Sequence, residues 1–254
     1  MATTGQSRRA GAVAQVFVAD PATPVLARDD HHHLVRVLRL AGGEQVVAAD
    51  GAGRWCLCRF AGDRAGPERS LEPEGDVVNE PATARPLTVA FAPVKGDRPE
   101  WVVQKLTELG IDRIVPLRTD RSVVHWEGDR GTKAVARLTR VAREAAAQSR
   151  RVWLPEITEV ATLTSFADTA RHTGDAVALA EAGGSPPTLE RPAVAVGPEG
   201  GWSRGELDRG LPTVGLSPGV LRAETAAVVA GALLGALRAG TVAPSRAGPA
   251  LGEA

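Results

Sequence analysis

Apolar and polar positions fall into two successive patterns along the chain. In the first, short apolar runs alternate with turn residues. Val16-Phe17-Val18-Ala19 predicts a strand ended by Asp20-Pro21. Two more strands, Gln45–Ala49 and Arg54–Phe60, are joined by Asp50-Gly51-Ala52-Gly53, a hairpin-turn sequence. Between the first strand and this hairpin, Asp30 can cap a short helix over 31–39, with Leu34, Val37 and Leu38 on one side and Arg36 and Arg39 beside them. Residues 61–86, rich in Gly, Pro and Glu, predict a loop and a boundary. Beyond it, strands predicted at Leu87–Ala92, Ile114–Leu117, Ala176–Ala180, Ala193–Val196 and Thr213–Leu216 alternate with helices. The first helix has Pro99 near its start, Gly110 at its stop, and Val102, Leu106 and Leu109 as its apolar stripe. Others are predicted over 132–149 and 224–238. The alternation implies an α/β domain with a mainly parallel sheet. The expected division is a small, mainly β domain over 1–78, the α/β domain over 79–242, and a disordered Pro/Gly/Ala-rich tail over 243–254.

Charge refines this picture. Lys plus Arg number 30, as do Asp plus Glu, so any nucleic-acid contact must come from local basic patches. Lys occurs only at 95, 105 and 133, and the Arg, Ala, Gly and Pro bias matches a GC-rich coding background. Single arginines therefore carry little weight. Cys56 and Cys58 would point to one face of a strand, a poor zinc site that offers no disulfide framework, which fits reduced thiols in the cytosol. His31-His32-His33 would point in different directions on a helix, and no metal is expected. With no apolar leader and no membrane-length run, the expectation is a soluble, cytoplasmic protein without membrane contact.

Four segments can carry chemistry. In Ala193–Glu206, a buried strand runs into Gly197-Pro198-Glu199-Gly200-Gly201 and then a helix start, where Ser203 and Glu206 have capping-box spacing. Such a turn either lets a ligand approach the backbone or simply links strand to helix. It matches neither a phosphate loop nor a dinucleotide fingerprint. In Leu216–Ala227, a Ser217-Pro218-Gly219 turn precedes Arg222 and Glu224 at an apolar helix, where the pair can serve a site or only the helix dipole and a surface ion pair. Gln104–Ile111 is an amphipathic helix. Lys133, Arg137 and Arg140, followed by Arg150 and Arg151, form either a phosphate-tracking ridge or a solvated face.

In this order and spacing the four segments resemble the RsmE family, the 16S rRNA uracil-N3 methyltransferases of the SPOUT superfamily, from about Val16 to the last helix. His33–Leu40 and Asp50-Gly51 look like the family's PUA-like RNA-binding β-barrel. Lys105–Gly110 and Glu144–Ser149 look like its middle motifs, and Gly197–Ser203 with Leu221–Ala226 like its cofactor motifs. The chain departs from the family pattern at Ser217-Pro218-Gly219, Ala223, Trp202 and Ala147.

The resemblance implies a deep trefoil knot over roughly 193–228, an exception to unthreaded connections, and a homodimer. It implies S-adenosylmethionine held by Leu179, Ala180 and Glu181, by Gly197, Pro198, Glu199, Gly200 and Gly201, and by Leu216, Ser217, Pro218, Val220, Leu221 and Arg222. Arg222 would stabilise an anion or phosphate, and Glu199 and Glu224 would accept a proton or organise the loops. Arg8, Arg9, Arg36, Arg39, Arg150 and Arg151 would contact RNA. The partner implied is 16S rRNA, in the assembled small subunit, at a decoding-region uridine. Alternatives are a SPOUT enzyme acting on tRNA or 23S rRNA, and a non-catalytic RNA-binding ribosome-assembly factor.

Overall fold

A computed structural model describes Arg9 and residues 11–243; Arg8 and the tail from 244 lie outside the described residues. The chain forms two compact units, residues 1–84 with 143–154, and residues 85–142 with 155–254.

In the first unit, β1 (Ala14–Phe17) runs parallel to β2 (Gln45–Ala49), and β2 is antiparallel to β3 (Arg54–Phe60). β4 (Leu71–Pro73) and β5 (Val78–Asn79) both pair with β3. Strand alternation sends Val46, Ala48, Cys56, Cys58 and Phe60 into one core with Leu34. Val47, Ala49, Phe17 and Trp55 form another core with Ala146 and Val152. The hairpin is as expected. Asp50 accepts hydrogen bonds from the backbone N–H of Ala52 and Arg54, and Gly53 adopts φ 93°. A Cβ on Gly53 would lie 2.5 Å from the Glu80 carbonyl oxygen and from the Trp153 ring.

The helix expected over 31–39 starts and ends earlier. α1 (Arg28–His32) is followed by a π-helical turn, His33–Val37, in which the Leu38 N–H donates to the His33 carbonyl. This wider winding breaks the 3.6-residue register. Only Leu34 is buried, and Val37 and Leu38 are exposed instead of joining its side.

The second unit carries a parallel sheet in the order β12-β10-β11-β6-β7-β8, with β9 also on β7. In chain order the elements are β6 (Thr88–Phe91), α2 (Arg98–Glu108), β7 (Arg113–Arg118), α3 (Gly128–Gln148), β8 (Glu156–Ile157) and β9 (Ala161–Thr162). Then follow α4 (Leu163–Thr173), β10 (Val177–Ser185), β11 (Ala193–Val196), α5 (Arg204–Leu207), β12 (Thr213–Val214) and α6 (Ala223–Ala239). Both sheet faces are covered, which is why the central strands read as unbroken apolar runs. Residues from α2 and α6 share one core, and Leu163, Phe166 and Ala170 of α4 pack into the other. Helix α4 was not expected. Thr and Asp interrupt its stripe, but a Thr162–Ser165 capping box starts it and Gly174, in the left-handed conformation, ends it.

Helices α2 and α6 approach closely through glycine. A Cβ on Gly235 would lie 2.7 Å from the Leu109 carbonyl oxygen, and one on Gly231 would lie 2.5 Å from Leu106 Cδ2. Arg238 then ties α6 to the start of β7, donating to Asp112 and to the Gly110 carbonyl. Gly235→Ala should therefore destabilise the protein. The ~1 kcal/mol gained in helix propensity is outweighed by forcing a helix off a backbone oxygen, an overpacking cost of about 1–3 kcal/mol. Urea unfolding midpoints check the sign.

Burial pushes the Cys58 thiol up to about 12, and the Cys56 thiol also upward. Both should resist alkylation at pH 8 until the chain unfolds. The unfolded chain ionises first, so the Cys58 contribution to stability is complete below the reference value of 9.0 and is lost as pH rises towards about 12. Denaturation midpoints across that window test the direction.

Candidate functional site

Strands β12, β10 and β11 are adjacent and parallel, so their carboxyl ends open on one edge of the sheet. In open α/β sheets this is the edge where ligands bind. The three expected segments therefore meet there. Leu179 is buried in β10, Ala180 and Glu181 are half-buried just beyond it, and Gly197–Gly201 leaves β11. Leu216–Arg222 leaves β12 and enters α6.

Two contacts fasten these loops together. The Trp202 indole N–H donates to the Ala180 carbonyl at 3.0 Å, and the ring packs beneath Gly197, where a Cβ would lie 3.2 Å from it. The Gly215 N–H donates to the Ser185 carbonyl at 2.9 Å, with the backbones so close that a Cβ on Gly184 would lie 2.6 Å from Val214 backbone atoms. Only glycine allows that crossing. Within the glycine turn, the Gly201 N–H donates to the Pro198 carbonyl at 2.8 Å and Gly201 has φ 67°. Pro198 is buried, and Glu199 and Gly200 are exposed.

A further loop, not expected from the sequence, clasps this turn from the end of β7. Arg121 donates to the Gly200 carbonyl at 2.8 Å, the Asp120 N–H donates to Glu206 at 3.0 Å, and the Ser203 hydroxyl donates to Asp120 at 2.5 Å. The buried Glu206 also accepts from the Ser203 N–H at 2.8 Å, completing the predicted capping box. The one sequence signal for this loop is its place directly after a buried strand, since the residues it clasps lie 79 to 86 positions away.

Arg222 is the N-cap of α6, exposed and without an ion-pair partner among the described residues. It stands beside the first backbone N–H groups of a 17-residue helix, which have no intrahelical acceptor. Glu224, in the first turn, is held on one side by Arg98 at 3.3 Å, while its other carboxylate oxygen is buried with no hydrogen-bond partner. Glu199 carries no such constraint. In the last loop, Ser217 accepts from the Gly219 N–H at 3.2 Å, Pro218 is exposed, Leu216 and Leu221 are half-buried, and Val220 is 98% exposed. The edge thus offers apolar contacts, bare backbone, a cation and an unsatisfied carboxylate.

The expected RNA contacts divide. Arg9 is corrected. It is buried, 2.8 Å from Glu80 and stacked 5.2 Å from the Trp55 ring centroid, so it holds the first unit together and cannot meet phosphate. Arg36 and Arg39 are exposed on the segment that includes the π-helical turn, Arg36 only 3.9 Å from Asp63. Arg39 and Arg150 have φ 54° and 60°. Burial lowers the Arg150 pKa, and the Arg151 carbonyl accepts from Gln15 at 2.6 Å. On the expected ridge, Arg137 pairs with Glu100.

Residues 81–235 match the family model described as an RNA methyltransferase domain, and residues 26–64 match the RNA methyltransferase PUA domain. Ribosomal RNA small subunit methyltransferase E of Mycobacterium bovis is 33% identical over 246 residues, covering 89% of this chain and 92% of that protein. A probable rRNA-methyltransferase from Porphyromonas gingivalis has a similar structure, with TM-score 0.73, 25% identity and coverage of 91% and 100%. So has a putative methyltransferase from Legionella pneumophila in complex with the bound cofactor SAM, with TM-score 0.71, 25% identity and coverage of 87% and 96%. With a two-unit fold, a three-loop edge and similarity over most of its length, the chain belongs to the RNA methyltransferase family that includes ribosomal RNA small subunit methyltransferase E.

Proposed function

We propose that this S-adenosylmethionine-dependent rRNA methyltransferase acts on N3 of a decoding-region uridine in 16S rRNA, within the assembled small subunit and in the cytoplasm. The observation that carries the reading is the edge where Trp202 fastens Ala180 to the Gly197–Gly201 turn and the Gly184–Gly215 crossing brings in the strand that leads to Leu216–Arg222. Leu179, Ala180 and Glu181, the glycine turn through Gly201, and Leu216–Arg222 including Ser217, Pro218, Val220 and Leu221 would hold the cofactor. The three glycines of the turn suit close approach of a flat ring, and Pro198, Leu216 and Val220 offer it apolar contact. When bound, S-adenosylmethionine supplies an electrophilic methyl group on a sulfonium.

The chain's own work is alignment and charge. Uracil N3 is not ionised at neutral pH, so its proton needs an acceptor as the methyl group arrives, and the oxygen left negative needs a donor. Arg222 is that donor. Between the two carboxylates, the buried orphan oxygen of Glu224 favours it as the acceptor. The exposed Glu199 organises the turn. Arg36, Arg39, Arg150 and Arg151 contribute to gripping RNA, and the target base is presented unstacked. We also assign closure of the first sheet into a PUA-like barrel, a trefoil knot over roughly 193–228, and a homodimer. The apolar, Ala- and Gly-rich surface of α6, with half-buried Val229, Leu233 and Leu237, favours the dimer.

Arg222→Ala should lower the single-turnover methyl-transfer rate by roughly 10²–10³-fold and Glu224→Gln by roughly 10²-fold, with Glu199→Gln much milder. Unchanged rates would remove each residue from the mechanism. Primer extension across small-subunit rRNA from cells lacking the gene should show one uridine modification missing, restored by purified protein and cofactor. Persistence of every uridine modification would overturn the assignment.

A further inference from the structure

A second recess opens beside the clasping loop. It is a cavity of about 590 Å³ lined by Arg118 at the end of β7, Trp126 and Glu127, Thr132 and Val135 of α3, and Glu159. Gly131 forms part of its wall. A Cβ there would lie 3.0 Å from the Trp126 carbonyl oxygen and 3.8 Å from Val160 Cγ2, so the glycine lets the two flanking segments close over α3. Arg118 donates to Glu127 at 2.6 Å, which orients the guanidinium and leaves it donors to spare. Glu159 is exposed, and its carboxylate has no partner among the described residues.

We infer that this cavity binds a guanine base of the substrate RNA, at a nucleotide other than the methylated uridine; the inference rests on the proposed RNA methylation. The ionisable lining is one cation against two carboxylates, which disfavours a phosphate and favours a neutral base. Trp126 offers a stacking surface of the kind that binds unstacked bases in RNA recognition. A free carboxylate such as Glu159 pairs best with two adjacent N–H donors, and among the four RNA bases only guanine presents two side by side, at N1 and N2. Adenine and cytosine place a ring acceptor beside their amino group, and uracil flanks its single N–H with two carbonyls. Arg118 can meet the remaining guanine acceptors, O6 and N7, in the most common specific arginine–base pairing.

The position also fits. Asp120 and Arg121, which clasp the glycine turn, lie two and three residues beyond Arg118. Strand β6 alone separates β7 from β11, an offset of about 10 Å across the sheet, the scale of neighbouring nucleotides. A guanine held here would fix the RNA's register relative to the cofactor loops.

The test uses the full chain labelled with 5-fluorotryptophan, with Trp126→Phe assigning one of five tryptophan resonances. Guanosine monophosphate should move the Trp126 resonance saturably and uridine monophosphate least, and Glu159→Gln should weaken the guanosine response about tenfold. No movement, or equal movement with all four nucleotides, overturns the proposal. With rRNA as substrate, Glu159→Gln should raise KM for RNA by about tenfold, more than it lowers kcat. An unchanged KM overturns the role in RNA binding. The nucleotide titration needs no methyl transfer, so an inactive wild-type protein would sink the functional reading while leaving the guanine site to be judged separately.

Discussion

The site depends on the burial of Trp202. Parallel strands end in loops with no ladder to hold them, and three such loops must keep a fixed spacing to share a ligand. Trp202 is 4% exposed and lies under Gly197, so its large ring sets the height of the glycine turn. A buried indole N–H left without an acceptor would cost about 1–3 kcal/mol. Its bond to the Ala180 carbonyl removes that cost and fixes the end of β10 against the turn after β11. The third loop joins by a different device, the glycine–glycine backbone crossing at 184 and 215.

Two acids show how the fold separates structure from chemistry. Glu206 is buried, and both its oxygens accept backbone N–H bonds, from Asp120 and Ser203. That satisfies it fully and anchors α5, a four-residue helix too short to persist alone. Glu224 is nearly as buried, but one of its oxygens has no donor. An unsatisfied buried carboxylate oxygen is destabilising unless a ligand or substrate supplies the missing partner. Such an imbalance is expected where function constrains the sequence.

What the sequence revealed followed the range of the interactions. The hairpin at Asp50–Gly53 and the capping box at Ser203 and Glu206 are fixed by neighbours within a few residues, and strand Ala193–Val196 shows as an unbroken apolar run because both sheet faces are covered, so all three were legible directly. The π-helical turn after His32 was not, because apolar spacing alone cannot signal an i to i+5 winding. Nor was the clasp. Arg121 meets Gly200 across 79 residues and Asp120 meets Ser203 across 83, so each looked like an ordinary polar residue in a loop. Arg9 misled for a related reason. Its position in a basic lead suggested solvent, whereas its partners Trp55 and Glu80 come from strand β3 and the segment after β5.

The fate of the arginines decides what attraction for RNA remains. A chain with equal acidic and basic counts cannot draw a polyanion by net charge. Many arginines are engaged internally: Arg54 with Asp20, Arg113 with Glu156, Arg137 with Glu100, Arg143 with Asp30 and Arg238 with Asp112. Others, Arg39 on one unit and Arg222 on the other among them, have no ion pair among the described residues. Counterion release scales with the number of phosphates neutralised and carries no sequence information. Discrimination must then come from shape and from contacts to bases, which calls for recesses with stacking surfaces and hydrogen-bonding edges. The Trp126 cavity and the three-loop edge are of that kind.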